Sequence, residues 1–504
     1  MHEYPHTFVV GFSGELSLKG KATRNRFTGR LSQNLADALR SEGIGFTVES
    51  YWSRTVVRAD SAAAGDVIAR VFGASSVRPV EERPWSSLDD LLDQGERLFA
   101  PHVAGKVFAV RVRRGAQQGH QGFKSPDVER QLGARLIDGA QGVDLKNPEV
   151  WARVELDRSR AFFSWDETKG RGGFPIGSQG KALAMVSGGF DSMVASWLML
   201  RRGVRLEYLF LNLAGANHRD EVLRVMEVLA KRWSYGSRPH LHVVDFRPIA
   251  EEIRRTAPKR LWQILLKRQM LRAADQVARM QRLAAIVSGE SIGQVSSQTL
   301  PNLAVIDGAI EIPILRPLVT SNKEEITNLA RKIGTYELSA KVAEHCALTP
   351  KDPETHAKVE AVEAAEAEFD PELLSRQVEA RTVLDLRVLD LEKIQAPDLA
   401  VRDFPKGYTV VDLRTSVLHN AWHPPGAVHM SYSDAARDPS AFEPGKRYLF
   451  YCEVGLKSAH LATLLHERGV EARHLEGGWK TVVRLVERED DALRAALSPV
   501  LLDG

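Results

Sequence analysis

The chain has 504 residues, 43% hydrophobic and 26% charged, with a formal net charge of +3. That length exceeds what one hydrophobic core organises and calls for three or four domains, and the composition excludes a disordered or fibrous chain. No apolar run is long enough to cross a bilayer, nothing at Met1-His2-Glu3-Tyr4 reads as a signal peptide, and two cysteines exclude a disulfide framework, so a cytoplasmic setting without membrane contact is expected.

Residues 1–61 read as a small α+β sandwich of the ferredoxin-like kind, with strands at 6–12, 46–49 and 55–59 and a helix at 26–41. Residues 62–168 repeat the mixture, with helices at 65–72 and 125–137 and strands at 107–113, 150–156 and 161–165. Charge is unevenly placed here. Between Pro101 and Arg130 stand six basic residues (Lys106, Arg111, Arg113, Arg114, Lys124 and Arg130) against Asp127 and Glu129. Alternation along a strand puts Arg111 and Arg113 on one face, which makes the stretch a candidate polyanion surface. A solvated sheet edge is the alternative.

Gly170, Gly172, Gly173, Pro175 and Gly177 form a breaker-rich linker. Residues 176–349 then alternate strands and helices as in a doubly wound parallel sheet. A short apolar strand, Ala182 to Val186, leads into Ser187-Gly188-Gly189-Phe190-Asp191-Ser192, a helix follows from Met193 to Arg202, and the next strand runs from Val204 to Leu213. Strand, glycine-rich turn and helix bring backbone N–H groups and a helix N-terminus to a phosphate. The lysine of a Walker loop is missing. Further on, a strand at Ala285 to Ser288 ends in Gly289-Glu290 and the polar run Gly293 to Thr299. Ser321-Asn322 precedes a helix from Lys323 to Ile333 with Glu324 and Glu325 in its first turn, a good capping pattern. Lys323 is poorly placed for the helix dipole, so it is either an exposed surface lysine or a contact for a phosphate or an activated oxygen.

Residues 350–400 read as an acidic helical connector, because Lys351 to Ala380 carry nine carboxylates against three basic residues and no glycine. Residues 401–504 form a last α/β unit opening with the strand at 408–413. In it Cys452 follows an apolar strand, Arg447 to Tyr451, and precedes a helix from Ser458 to Gly469. A thiol facing a helix N-terminus across Glu453 to Lys457 sits among converging N–H groups, which stabilise a thiolate or persulfide. A buried structural cysteine is the alternative. Cys346, in Glu344-His345-Cys346, reads by itself as a small core residue. The two thiols lie far apart without C-x-x-C or H-x-x-H spacing, so no metal site is expected.

Several of these segments carry resemblances. Ser187 to Ser192 resembles the loop of the ATP pyrophosphatases, which cut ATP between its α and β phosphates; a glycine turn with Asp191 as a helix cap is the structural alternative. Val110 to Gly115 with Ser125 to Arg130 resembles the THUMP domain of RNA-modifying enzymes. With only Phe108 and Phe123 close by, recognition of RNA shape and backbone is expected. The Cys452 loop, with Val410 to Arg414, Pro425-Gly426-Ala427 and Leu475 to Trp479, resembles rhodanese, although many rhodaneses have Arg where Lys457 stands, which favours persulfide from a partner over thiosulfate. Gly289 to Thr299 with Ile314 to Leu318 and Gly172 to Gly177 resembles the tRNA 4-thiouridine sulfurtransferases, and that likeness covers essentially the whole chain.

This resemblance implies an adenosine nucleotide lined by Met185, Val186, Phe210, Leu211, Lys267, Gly289 and Gln298. Its phosphates would be held by Ser187, Gly188, Gly189, Asp191 and Ser192. Asp191 would act through Mg²⁺, Lys323 would serve adenylation, and Cys346 would resolve the persulfide on Cys452 through a disulfide. Lys106, Arg111, Arg113, Arg114 and Lys124 would meet RNA. The implied reaction is ATP-dependent conversion of tRNA uridine 8 to 4-thiouridine through an adenylated uridine. The implied partners are tRNA, a cysteine desulfurase and a sulfur-carrier protein of thiamine thiazole synthesis, with a homodimer left open. The alternatives are a persulfide relay for thiamine synthesis without tRNA activity, and 2-thiolation of an anticodon uridine.

Overall fold

The computed structural model describes residues 4–51, 54–114, 123–157, 159–214, 216–342, 348, 352–389, 399–443, 445–453 and 455–489. Among them, three sheets carry the architecture. The first comprises β1 (His6–Phe12), β2 (Phe46–Ser50), β3 (Arg54–Ala59), β4 (Ala74–Pro84), β5 (Val107–Arg114), β6 (Gly142–Val143), β7 (Val150–Leu156), β8 (Arg160–Ser164) and β9 (Thr168–Lys169). Its order is β2-β3-β1-β4-β8-β7-β5-β6, with β9 beside β4. The long β4 fuses the two N-terminal units, because its first half pairs with β1 and its last four residues pair with β8, both antiparallel.

Helices Lys21–Ser41 and Ala64–Arg70 close a core of Phe8, Val10, Phe27, Leu31, Leu35, Val57 and Ile68 on one half. Helices Leu88–Val103 and Ser125–Leu136 close a second core of Leu91, Phe99, Val110, Leu132 and Phe163 on the other. Strand β4 and helix Leu88–Val103 have no counterpart in the sequence reading. Pro79 and Pro84 interrupt the first, and Gly95 and Pro101 the second. Gly95 has a packing reason: a Cβ there would stand 3.0 Å from both Leu132 methyls, so its absence lets the two helices close up.

The helix-free faces of the two halves meet over buried charge. Glu155 lies between Arg78 and Arg54, bonding the first and pairing with the second at 3.3 Å, all with side chains under a tenth exposed. Arg58 grips Glu82 at 2.9 and 3.0 Å, and Arg54 lies over the Phe162 ring.

The second sheet contains β10 (Lys181–Val186), β11 (Arg205–Asn212), β12 (His240–Asp245), β13 (Ile286–Val287), β14 (Ile314–Leu315) and β15 (Thr382–Asp385), ordered β14-β13-β10-β11-β12-β15. All neighbours are parallel except β15, which runs antiparallel along β12. Helices Phe190–Arg201, Ala216–Trp233 and Lys323–Ile333 cover one face, and Arg247–Thr256, Trp262–Met280 and Leu300–Asp307 cover the other. Burial on both faces explains why the strands read as continuous apolar runs.

The acidic stretch forms helices Val359–Glu366 and Leu373–Glu379, and these pack onto the second face through Val362, Leu374 and Val378. Its Glu366 accepts from Arg268 at 2.9 Å and Arg272 at 2.7 Å, so one carboxylate of the run is buried against the nucleotide unit.

The third sheet contains β16 (Ala400–Val401), β17 (Thr409–Asp412), β18 (Val428–His429), β19 (Arg447–Tyr451) and β20 (Glu471–Leu475), parallel throughout in the order β16-β20-β19-β17-β18. Among the described residues no helix is long and apolar enough to cross a membrane.

Replacing Glu155 by Ala strands two buried guanidiniums. The expected outcome is a loss of about 3–5 kcal/mol in the unfolding free energy of the N-terminal half, read by urea denaturation.

Candidate functional site

The glycine-rich turn lies at the carboxyl end of β10, an interior strand of its sheet, where ligands bind in open α/β folds. Gly188 takes φ +78°, and helix Phe190–Arg201 starts with Gly189 as an N-cap that has no side-chain cap. The helix therefore presents its first amides unoccupied by its own side chains. Ser192 fixes the turn: its Oγ accepts from Ser187 N at 3.3 Å and donates to the Gly189 carbonyl at 3.2 Å.

Gly289, just beyond β13, lies across the turn. A Cβ there would stand 2.8 Å from both the Asp191 carbonyl carbon and the Ser192 nitrogen, so only glycine lets the two backbones approach. The loop after it is tied to the next by Ser291 Oγ donating to Ser321 O at 2.8 Å and by Ile292 N donating to Val319 O at 3.2 Å. These ties set the start of helix Lys323–Ile333 against the glycine turn. Lys323 Nζ stands 3.7 Å from Asp191 Oδ1 and over the Phe190 ring, and Gln294 Nε2 donates to Asp191 Oδ2 at 3.1 Å. Asn322 and Glu325 form a reciprocal capping box, which anchors Lys323 in the first helical turn.

Below this edge Glu290 accepts from Lys267 Nζ at 2.6 Å and from Arg316 Nε at 2.9 Å, and Arg316 also grips Asp307. Burial would raise the Glu290 carboxyl, but Lys267 and Arg316 overcome it and hold it at about 2. Lys267 is thus engaged with a carboxylate of the same edge. Gln298, in the short turn Ser296–Gln298, is buried with its Oε1 accepting no hydrogen bond, and Asp191 Oδ1 is likewise a buried oxygen without one.

A nucleotide polyphosphate fits this set. The turn offers bare amides, the absent Cβ of Gly289 lets the two backbones close up beside it, a lysine flanks it, and the loop beyond Gly289 holds a buried amide oxygen that accepts no hydrogen bond.

Met185 and Leu211 belong to the core on one face of the sheet, whereas Val186 and Phe210 belong to the core on the other. The period of two in a strand forbids all four side chains from lining one surface, so their shared edge is the backbone of the β10 and β11 ends.

The second site lies at the carboxyl end of β19. Cys452 is fully buried, its Sγ accepts from Gly455 N at 3.2 Å, and Ser458 Oγ lies 3.6 Å away. Gly455 takes φ +93°, and a Cβ on it would meet Gly477 N at 3.2 Å and Gly478 N at 3.3 Å. Behind the loop, buried Asp412 pairs with Arg414 at 2.7 Å and with His419 at 3.0 Å, while Arg414 lies 3.6 Å over the Trp479 ring. Lys457 is exposed and 3.5 Å from Glu453. Cys346 and His345 lie outside the described residues.

On the N-terminal sheet, β5 turns Val110 and Val112 into the core and Arg111 and Arg113 outward. Lys106 is exposed before β5, Lys124 is exposed as the N-cap of helix Ser125–Leu136, and Arg114 lies 4.4 Å over the Phe123 ring. The structure adds Trp151, which stands between Arg111 and Arg153 with each guanidinium within 5.4 Å of its ring. Its signal was present in the sequence, since Val150, Ala152 and Val154 alternate inward and put Trp151 and Arg153 on the polar face. Gln294, Glu290 and Arg316 lie within recognisable sequence patterns, but nothing local in the sequence shows that they meet Asp191 and Lys267.

Family models match the ThiI ferredoxin-like domain over residues 9–77, the THUMP domain over 86–166, the thiamine biosynthesis protein (ThiI) over 177–370 and the rhodanese-like domain over 396–484. A tRNA sulfurtransferase of Pyrobaculum aerophilum is 36% identical, the match covering 92% of this chain and 95% of that one. The chain belongs to the tRNA sulfurtransferase family. A tRNA sulfurtransferase of Erwinia tasmaniensis is 34% identical over 92% of this enzyme and 98% of its own length. A crystal structure of a 4-thiouridine synthetase–RNA complex with bound ATP aligns with a TM-score of 0.66 at 27% identity, covering 75% of this chain and 99% of that chain. The enzyme is thus a sulfurtransferase built on ferredoxin-like, THUMP, pyrophosphatase-type and rhodanese units.

The depressed Glu290 carboxyl gives a pH prediction. Its folded value lies below the ordinary 4.5, so its contribution is fully present above that value and is lost as pH falls toward about 2. Acid unfolding of Glu290→Gln should lose that slope over the same interval, a difference of about 3 kcal/mol read from chemical denaturation at successive pH values.

Proposed function

We propose that the enzyme converts tRNA uridine 8 to 4-thiouridine by ATP-dependent adenylation of the uridine 4-oxygen followed by substitution with sulfane sulfur carried on Cys452. The observation that carries this reading is the meeting of Asp191, Lys323 and Gln294 over the bare amides of the Ser187–Ser192 turn. Those amides bind the polyphosphate, and Lys323 neutralises charge that develops as the α-phosphate is attacked. Asp191 is the carboxylate that would hold Mg²⁺, which when bound neutralises the phosphates. Gln298 and the strand ends of β10 and β11 orient the adenosine.

A cysteine desulfurase loads Cys452, whose sulfur is held by the Gly455 amide. The terminal sulfur attacks C4, the C4–O bond breaks, and AMP leaves with the oxygen. Cys346 then attacks Cys452 Sγ, the S–S bond to the transferred sulfur breaks, and the resulting disulfide is reset by an external reductant. The tRNA is held through Arg111, Arg113, Arg114, Lys106 and Lys124, with Trp151 among them, in a cytoplasmic setting. The same persulfide on Cys452 also serves a sulfur-carrier protein for the thiamine thiazole, a branch that needs only the rhodanese unit.

Incubation with unmodified tRNA, ATP–Mg²⁺, cysteine, a desulfurase and reductant should give 4-thiouridine by mass spectrometry of the nucleosides. Cys452→Ser should abolish the thionucleoside while ATP cleavage to AMP continues. Asp191→Ala should reduce tRNA-dependent AMP formation by at least a hundredfold while Cys452 still accepts ³⁵S. A 2-thiouridine product would move the substrate to an anticodon uridine, and no thionucleoside with Cys452 persulfidated would leave a relay role.

A further inference from the structure

A cavity of about 470 Å³ lies at the end of β10 opposite the Ser187 turn, between helix Lys21–Ser41 of the ferredoxin-like unit and the turn Gly177–Gly180 that leads into β10. Asn25, Arg26, Arg30, Gln33 and Ser178 line it. Arg205, the first residue of β11, adjoins it: a Cβ on Gly177 would stand 3.2 Å from Arg205 Nη2 and 3.5 Å from Arg30 Nε. Two guanidinium heads therefore flank the same glycine. Among the described residues neither of them, nor Arg26, pairs with a carboxylate, and Arg205 Nε is buried without an acceptor.

The start of the helix is also basic in composition. Its first ten residues carry Lys21, Arg24, Arg26 and Arg30 and no acid, at the end where the dipole favours anions. Arginines buried in the cores are by contrast paired with carboxylates, as Arg54, Arg58, Arg268 and Arg414 show. Convergent arginines left without a carboxylate around a cavity at the joint of two units are the chemistry of a phosphate site.

We propose that this cavity binds a phosphodiester of the enzyme's RNA substrate, gripped by Arg26 and Arg30 from the ferredoxin-like unit and Arg205 from the nucleotide unit. The inference rests on the tRNA reading above. The length of β10, about 20 Å at six residues, separates the cavity from the Ser187 turn at the opposite strand end. A single nucleotide cannot reach both, whereas a polynucleotide spans several such lengths. Bridging the two units in this way, the phosphate fixes the ferredoxin-like unit against the nucleotide unit when RNA is bound.

The test is tRNA affinity of the full chain at several salt concentrations, comparing wild type with Arg26→Gln/Arg30→Gln. The expected result is about tenfold weaker binding at 0.15 M salt and a salt slope shallower by about two, with ATP binding and ³⁵S loading of Cys452 unchanged. Gln33→Glu, an exposed helix position that puts a negative charge at the cavity, should weaken tRNA binding in the same sense and guards against a folding defect in the double variant. An unchanged affinity and slope in both variants would overturn the site. Calorimetric titration with inorganic pyrophosphate separates the sources: millimolar binding lost in Arg26→Gln/Arg30→Gln with tRNA affinity intact would assign the cavity to a free anion and overturn the RNA proposal. A wild-type chain that binds no tRNA would instead sink the functional reading itself.

Discussion

The contact between the Gly289 backbone and the backbone of Asp191 and Ser192 is the constraint on which the nucleotide edge depends. It brings the end of β13 against the first turn of the helix after β10, and everything at the edge is placed from there. The loop that continues from Gly289 delivers Gln294 to Asp191, and its ties at Ser291 and Ile292 bring Lys323 opposite. Glu290, next in sequence, is clamped from below by Lys267 and Arg316, so the close approach is supported by a buried ionic cluster. A side chain at position 289 would open the gap and disperse residues from four separate segments.

The two reactive sites use one physical device with different contents. Each lies after an interior parallel strand, β10 or β19, at a turn that a positive-φ glycine makes possible and that opens onto a helix N-terminus. At the first, the opening amides of the helix carry no side-chain cap, which leaves them free for the polyphosphate proposed above. At the second, the Gly455 amide donates to the buried Cys452 sulfur. The two turns lie on different units, so the proposed reaction requires the rhodanese unit and the nucleotide unit to cooperate. Their described contact includes an ion pair between Arg247 and Glu467 at 3.4 Å.

Buried carboxylates join the pieces of this chain. Glu155 links the two halves of the N-terminal sheet, Glu366 fastens the acidic stretch to the nucleotide unit, and Asp412 locks the loop behind Cys452. Each is paired with at least one arginine, which offsets the cost of taking both charges out of water and makes the junction specific in geometry. The acidic stretch therefore acts as more than a spacer, since its helices extend the apolar core and β15 borders the sheet.

Local chemistry made much of this legible. The apolar run before Ser187, the glycines of the turn and the capping pattern at Asn322 act over a few residues, and β10, helix Lys323–Ile333 and β19 lie where those patterns put them. Alternation in β5 likewise showed which arginines face outward. Elements whose sequences contradict their local state were not legible: β4 contains two prolines and helix Leu88–Val103 contains Gly95 and Pro101, and both are held by partners distant in sequence. The sequence by itself determined the fold class of the units, the glycine turn at the end of β10 and the strand-to-helix setting of Cys452, because these rest on short-range backbone geometry and residue type. Only the tertiary structure decided that Gln294 meets Asp191, that Glu290 sits between Lys267 and Arg316, and that Arg30 and Arg205 converge on one cavity. Those pairings join residues from tens to well over a hundred positions apart, and only packing of the sheets and helices sets such distances.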